Sequence, residues 1–422
     1  MNNKRTIILI SILIVILILV IVSLVLTLGK KEEIIPENTV NETEENVVEE
    51  NVIIDEVEEE ENLPIIEDKG EIATERSIYI DDNRKSVTVP EGYAIINDSP
   101  NVSDGLVISD VADDDLNNSK GGNQFVCIPV DTPVLDVSKC EDEMDINDAI
   151  SESVSNRKYP MAIKLADGNY KGVLYRFESI NENTAVKVNF IAYSTTGAER
   201  EPANLDDSSA NIGDWTQEIY QTEYNELVKR VKKDKGFWIA RYETSIDSNN
   251  VAQSKKNEKV LTNASWYDLY TVQKTLTHAN TTSHMIWGSQ WDQIMIWLKD
   301  VKNQTLAEGY KYFVVDSSNM GNYLYTEIKE NGENGTNTIK KSGEAFRFKT
   351  GELEGTKINN IYDLAGNAWE WTMEANFTTS RTVRGGDCSY DGATYPVTAR
   401  FSFKPTYNGE KIENIGSRMT IY

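Results

Sequence analysis

The chain opens on an apolar run. Thr6 to Gly29 carries no charged residue and is almost wholly Ile, Leu and Val. As a helix rising 1.5 Å per residue, this run reaches roughly 36 Å, enough for a hydrocarbon core of about 30 Å. The pattern predicts one transmembrane helix over 6–29, in contact with the lipid bilayer. Lys4 and Arg5 precede it and Lys30 and Lys31 follow it, so counting bases alone does not orient it. For a first span the basic N-terminal end stays inside, which puts residues 1–5 in the cytosol and the bulk of the chain outside the cell membrane. A cleaved signal peptide would show a shorter apolar core and an Ala-x-Ala-like site, and neither is present.

Further on, the periodicity changes. Strand-like runs begin near Lys85, as SVTVPEGYAII, DGLVISDV and NQFVCIPV, each bounded by Asp, Asn or Gly. The segment of about 132–214 is polar and reads as an insert, with MAIKLADGNYKGVLYRFE and AVKVNFIAY pairing as hairpins. Helical spacing then returns. Trp215 to Asp234 predicts an amphipathic helix closed by Gly236, Trp266 to Leu276 a helix capped by Ser265, and Ser289 to Lys299 a third. Short strands with a few helices, and no regular βαβ alternation, predict an α+β fold.

Charge separates the two ends. The formal net charge is −26, and the stretch from Glu32 to Asp68 holds sixteen Asp or Glu and no Lys or Arg. Without aromatics it cannot bury enough apolar area to offset ordering, so 30–76 is expected to be a disordered, acidic tether ahead of a folded domain at 77–422. An acidic recruitment site is the alternative for this stretch. No nucleic-acid partner is expected, because a phosphate backbone needs a basic face. Two histidines, His278 and His284, leave little room for His-based metal sites. Cys127, Cys140 and Cys388 are too scattered for a disulfide framework or a zinc site.

Three segments of the C-terminal half are more specific: GFWIARYETS (236–245), MIWGSQWDQIMIWL (285–298), and NIYDLAGNAWEWT (360–372) followed by RTVRGGDCSY (381–390). In order and spacing they resemble the formylglycine-generating enzyme (sulfatase-modifying factor) family, which has a variant of the C-type lectin fold. The closing Gly-Phe-Arg of that family is here Ile415-Gly416-Ser417-Arg418, and the runs from Val89 to Pro129 resemble a membrane-anchored Gram-positive subgroup. The resemblance covers about 87–422 and implies a formylglycine-generating-enzyme-type, C-type-lectin-like domain at a bacterial cell surface.

The residues qualify what the resemblance implies. Trp369 and Trp371 should share one face of a strand with Glu370 on the other. Asn367, the carbonyl of Ala368 and Glu370 are oxygen donors suited to a hard cation, and the matching family positions bind calcium, which implies a structural calcium here. The alternative is that Glu370 pairs with a base such as Arg384. More broadly, Arg384, Arg400 and Arg418 are expected to pair with Glu243 and Glu370. The family's oxidases hold copper(I) on two thiolates, and the corresponding places fall near Tyr390 and Tyr395, so copper is not expected. Neither is a lone nucleophile at Cys388, because the chain's only two histidines fall together in THANTTSHM.

Three functions follow. The first is a binding module that presents Tyr390, Tyr395, Tyr407 and Asn408 to an extracellular ligand or protein, a composition that gives contact area at low rotamer cost. The second is an oxidase acting on a cysteine of a protein substrate through a different ligand set. The third is a structural surface protein without a discrete ligand.

Overall fold

The apolar runs NQFVCIPV and GFWIA fold as the strands Gln124–Pro129 and Gly236–Ala240, which pair antiparallel with Trp238 opposite Cys127. Successive side chains of a strand point to opposite faces. Val126, Ile128, Phe237 and Ile239 therefore enter one core, and Phe125, Cys127, Trp238 and Ala240 enter another. A strand buried on both faces has no polar alternation, which is why these runs read as continuously apolar. They centre a six-stranded sheet in the order His284–Met285, Met419–Ile421, Gly236–Ala240, Gln124–Pro129, Val107–Ser109, Ala94–Ile95. Every neighbouring pair in it is antiparallel.

The computed structural model describes residues 63–98, 101–117, 119–180, 186–191, 201–202, 217–305, 313–332, 335–377, 379–406 and 413–422. The expected membrane span at 6–29 and most of the expected tether lie outside the described residues, as do Tyr407 and Asn408. Among the described residues no helix is long and apolar enough to cross a membrane. These residues belong to one compact unit, Glu61–Tyr422, so ordered chain starts before the expected boundary at 77. Ile65–Ile66 pairs in parallel with Ser77–Ile80, which pairs in turn with Ser86–Val89. This small sheet, through Ile66, Tyr79, Val87 and Val89, supplies the second core.

Four helices are described. α1 (Glu143–Ser155) lies in the insert and is capped by Asp142, whose carboxylate accepts from the backbone of Met144 and Asp145. α2 (Gln217–Asp234) turns its Tyr220, Tyr224, Leu227, Val228 and Val231 stripe inward. Its end differs from expectation. Lys235 takes the left-handed conformation at φ +58°, and Gly236 is already the first residue of the next strand. α3 (Trp266–Gln273) opens on a capping box made by Ser265 and Asp268. α4 (Gly288–Thr305) starts one residue early and runs beyond Lys299.

The insert forms both expected hairpins, 162–164 with 170–172 and 175–179 with 186–190. It also holds one βαβ unit, because Val134–Asp136 pairs in parallel with Ala162–Lys164 across α1. Its Ile150, Ile163, Tyr175 and Val188 share the first core with Phe237, Trp287 and Trp371, so the insert is packed into the domain. A second sheet carries the C-terminal motif in the order Phe401–Phe403, Arg381–Arg384, Trp369–Trp371, Ile415–Ser417. The last two strands are parallel, the other pairs antiparallel. The described part is thus mixed α+β, mostly sheet, with no closed barrel.

Candidate functional site

Two buried charge clusters hold the second sheet rigid. In the first, Arg384 donates to Glu374 at 2.8 and 3.0 Å and to Asp292 of α4 at 2.9 Å. Arg400 contacts the same two carboxylates at 2.8 and 2.6 Å. Two guanidiniums and two carboxylates close a square in which each charge is compensated, the condition for burying ions without a large penalty. The insert is tied to this square. Tyr175 donates its amide to Asp292 at 2.8 Å, and Arg400 donates to the Tyr175 carbonyl at 2.7 Å. Arginines 384 and 400 therefore serve Asp292 and Glu374, not Glu243 and Glu370 as expected.

The second cluster surrounds Arg418. Its guanidinium meets both oxygens of Glu370, at 2.6, 3.0 and 3.1 Å, and donates to the carbonyls of Ala240 and Tyr362. Glu243 accepts from the Asn367 side chain at 2.6 Å and from the Ala368 amide at 3.1 Å. Burial pushes the Glu243 carboxyl well above the usual range, and the neighbouring Asp363 and Glu370 add to that push. Glu370 itself pairs with Arg418 rather than Arg384. Although Glu370 and Arg384 face each other across the sheet, Arg384 is already engaged by Asp292 and Glu374.

On this support lies a surface of aromatic rings. Trp369 is buried, with Tyr390, Tyr395 and Phe401 around it at centroid distances of 6.2, 5.8 and 6.2 Å. Tyr390 and Tyr395 meet edge to face at 4.9 Å. Phe403 continues the group from Phe401 at 5.0 Å to Trp371 at 6.0 Å. Such ring pairs contribute about 0.5–1.5 kcal/mol each beyond area burial. Tyr390 and Phe401 nonetheless remain 40% exposed.

The local sequence explains the position of these rings. Strand 381–384 ends in Gly385 and Gly386, both in the left-handed region at φ +93° and +76°. A Cβ on Gly386 would sit 2.6 Å from the Tyr323 ring and 2.7 Å from the Tyr395 carbonyl, so only glycine lets the chain pass there. The loop beyond is pinned by Leu324, whose amide donates to the Tyr390 carbonyl at 2.9 Å. It is also pinned by Asn414, whose amide group donates to the Ser389 hydroxyl at 2.8 Å. Beside it, burial pushes the Asp387 carboxyl up to about 6 and the Cys388 thiol up to about 11.

No family model matches the chain, and no curated protein matches it. Among solved structures, Treponema denticola variable protein 1 is similar over 60% of this chain and 95% of its own. The two are 12% identical, with a TM-score of 0.23.

Of the site residues expected from sequence, Tyr390 and Tyr395 come together. Asn367, Ala368 and Glu370 also lie on one segment, but their side-chain oxygens are engaged by protein donors. The Asn367 Oδ1 accepts from the Asn322 side chain at 3.0 Å and from the Phe348 amide at 2.9 Å. A guanidinium already occupies both Glu370 oxygens. Among the described residues no three His, Cys, Asp or Glu side chains are grouped to hold a metal ion. Sequence reasoning missed Phe401 and Phe403. Their signal was present in RFSFK, where two rings two positions apart must share one face of a strand.

Proposed function

We propose that the chain is a membrane-anchored, extracellular, sulfatase-modifying-factor-like domain that binds a ligand or protein partner through its C-terminal aromatic surface. In this reading it does not oxidise cysteine. One observation carries it: where the family resemblance would put a pair of copper thiolates, the chain presents Tyr390 and Tyr395 within a half-open group of rings. A soft copper(I) ion needs thiolate sulfur, and a phenol is a hard, weakly acidic oxygen. Cys388 is buried and held as the neutral thiol. Cys127 is buried in the central sheet, and Cys140 precedes α1, on other elements of the fold.

Two measurements test it. The full chain is screened against arrays of cell-surface glycans and peptides, and each hit is repeated with Tyr390→Ser combined with Phe401→Ser. Losing two exposed anchors should weaken binding about 10- to 100-fold with the far-ultraviolet spectrum unchanged. Hits that survive the double substitution would refute the assignment of the surface. In parallel the chain is offered copper(I) and a cysteine-containing peptide under O₂. Oxygen uptake coupled to loss of the peptide thiol would restore the oxidase reading.

A further inference from the structure

A cavity of about 480 Å³ lies on another part of the domain, in the size range of small-molecule sites. Its walls are the small N-terminal sheet, the C-terminal end of α2 and the hairpin around Asn280. These walls are cross-linked. Arg76 forms an ion pair with Asp234 at the end of α2. On the opposite side the Asn280 amide donates to Glu91 at 2.5 Å, and His278 Nε2 lies 2.9 Å from the Gly92 carbonyl. Trp238 Nε1 donates to the carbonyl of Thr88, another lining residue, at 3.0 Å. The cavity is therefore held open by contacts that do not depend on an occupant.

The charges inside do not cancel among themselves. Arg76 forms its ion pair with Asp234, and Arg230, one helical turn before it, also bears on that carboxylate without closing an ion pair of its own; Glu75 lines the cavity too and has no ion pair with a described residue. Glu91 receives only a neutral amide. An apolar occupant would bury these groups without compensation, which is costly. A purely anionic occupant would satisfy Arg230 and face Glu75 and Glu91, and a purely cationic one would do the reverse. We infer that the cavity is a binding site for a small zwitterion, with its anionic group on Arg230 and its ammonium toward Glu91 and Glu75. This site is separate from the aromatic surface, and its test does not depend on that reading.

Free-ended short peptides and phosphorylated amines share this chemistry. The test titrates dialanine and phosphoethanolamine into the full chain by calorimetry, with N-acetyl-dialanine and dialanine amide as end-blocked controls. At least one zwitterion should bind at millimolar concentration or better. Dialanine alone would identify a peptide end, and phosphoethanolamine alone a phosphorylated amine. For the zwitterion that binds, Arg230→Gln should weaken affinity about tenfold or more and Arg230→Lys should retain most of it, the step expected for loss of one charge pair. If dialanine is that ligand, each end-blocked form should show a similar loss. Arg230→Lys also guards against a loss caused by misfolding. Binding of neither zwitterion, equal binding of the blocked peptides, or indifference to Arg230→Gln would each overturn the inference.

Discussion

Replacing Arg418 by Met is the sharpest test of how the C-terminal motif is held. The substitution keeps most of the side-chain volume and removes the cation that Glu370, Glu243 and Asp363 all face. All three carboxyls are fully buried, and burial raises each of them even with Arg418 present. Without it, the folded chain avoids a bare buried carboxylate by binding a proton at Glu370. A free Glu titrates near 4.3, so taking up that proton costs about 3.7 kcal/mol at pH 7 and about 1 kcal/mol at pH 5. The neutral-pH figure falls within the roughly 3–5 kcal/mol typical of removing one partner of a buried ion pair. The Ala240 and Tyr362 carbonyls also lose a donor, which adds about 1–3 kcal/mol with no pH dependence. Because burial already raises Glu370 in the parent, that chain carries part of the same pH dependence, and the charge-specific signature is the difference between the two conditions, at most about 2.7 kcal/mol. Urea unfolding of Arg418→Met and the parent chain at both pH values measures it. A loss at pH 7 that does not exceed the loss at pH 5 would show that Arg418 acts through packing and hydrogen bonds, and would refute the electrostatic account.

Glu201 offers a second titration. Its carboxylate accepts from the amides of Gly288 and Ser289 at the start of α4, and burial raises its pKa to about 7. Because the folded value exceeds the unfolded one, its contribution is complete below about pH 4.3 and is lost as pH rises toward 7, at up to about 1.4 kcal/mol per pH unit. Glu201→Gln should flatten the pH dependence of urea midpoints in that window by up to one proton, and an unchanged slope would exclude this role. Gly366→Ala addresses the backbone. At φ +73°, with a new Cβ only 2.5 Å from the Asn322 carbonyl oxygen, it should cost about 2–6 kcal/mol from strain and overpacking together. A thermal midpoint close to that of the parent would show that the Asn322 loop yields freely.

The parts of the fold that were legible in the sequence are those whose burial is local and strong. Phe125 to Ile128 and Phe237 to Ala240 are apolar at every position because both faces are covered, so no partner need be known to read them as strands. α2 and α3 announced themselves through a helical stripe and through the cap at Ser265. α1 did not. Its sequence EMDINDAISESVS buries only Ile150 and Ser153, and its place is fixed by the parallel pairing of 134–136 with 162–164. A pairing across that many residues leaves no periodic trace in either segment. The early strand Ile65–Ile66 was masked by the acids around it, since two residues are too few to set a period.

The site shows the same limit in its chemistry. Residue types state how many donors and acceptors a segment brings, but the partners are chosen by topology. Glu370 and Arg384 are opposed across neighbouring strands, the local cue for a pair, yet Glu370 is taken by Arg418, 48 residues along the chain. Arg384 reaches Asp292, 92 residues away. The exchange is enforced by charge balance. If Arg384 turned to Glu370, Asp292 and Glu374 would be left with Arg400 alone, two buried carboxylates on one cation, and Arg418 would lose its bidentate partner. The observed pairing gives each of Arg384, Arg400 and Arg418 a carboxylate and leaves the excess acid on Glu243 and Asp363, which are served by amides and a hydroxyl. The aromatic surface follows from this economy. The strands below it are locked by buried charge, so the rings of Tyr390, Tyr395 and Phe401 need not close over the core to stabilise it and can stay partly open to a partner.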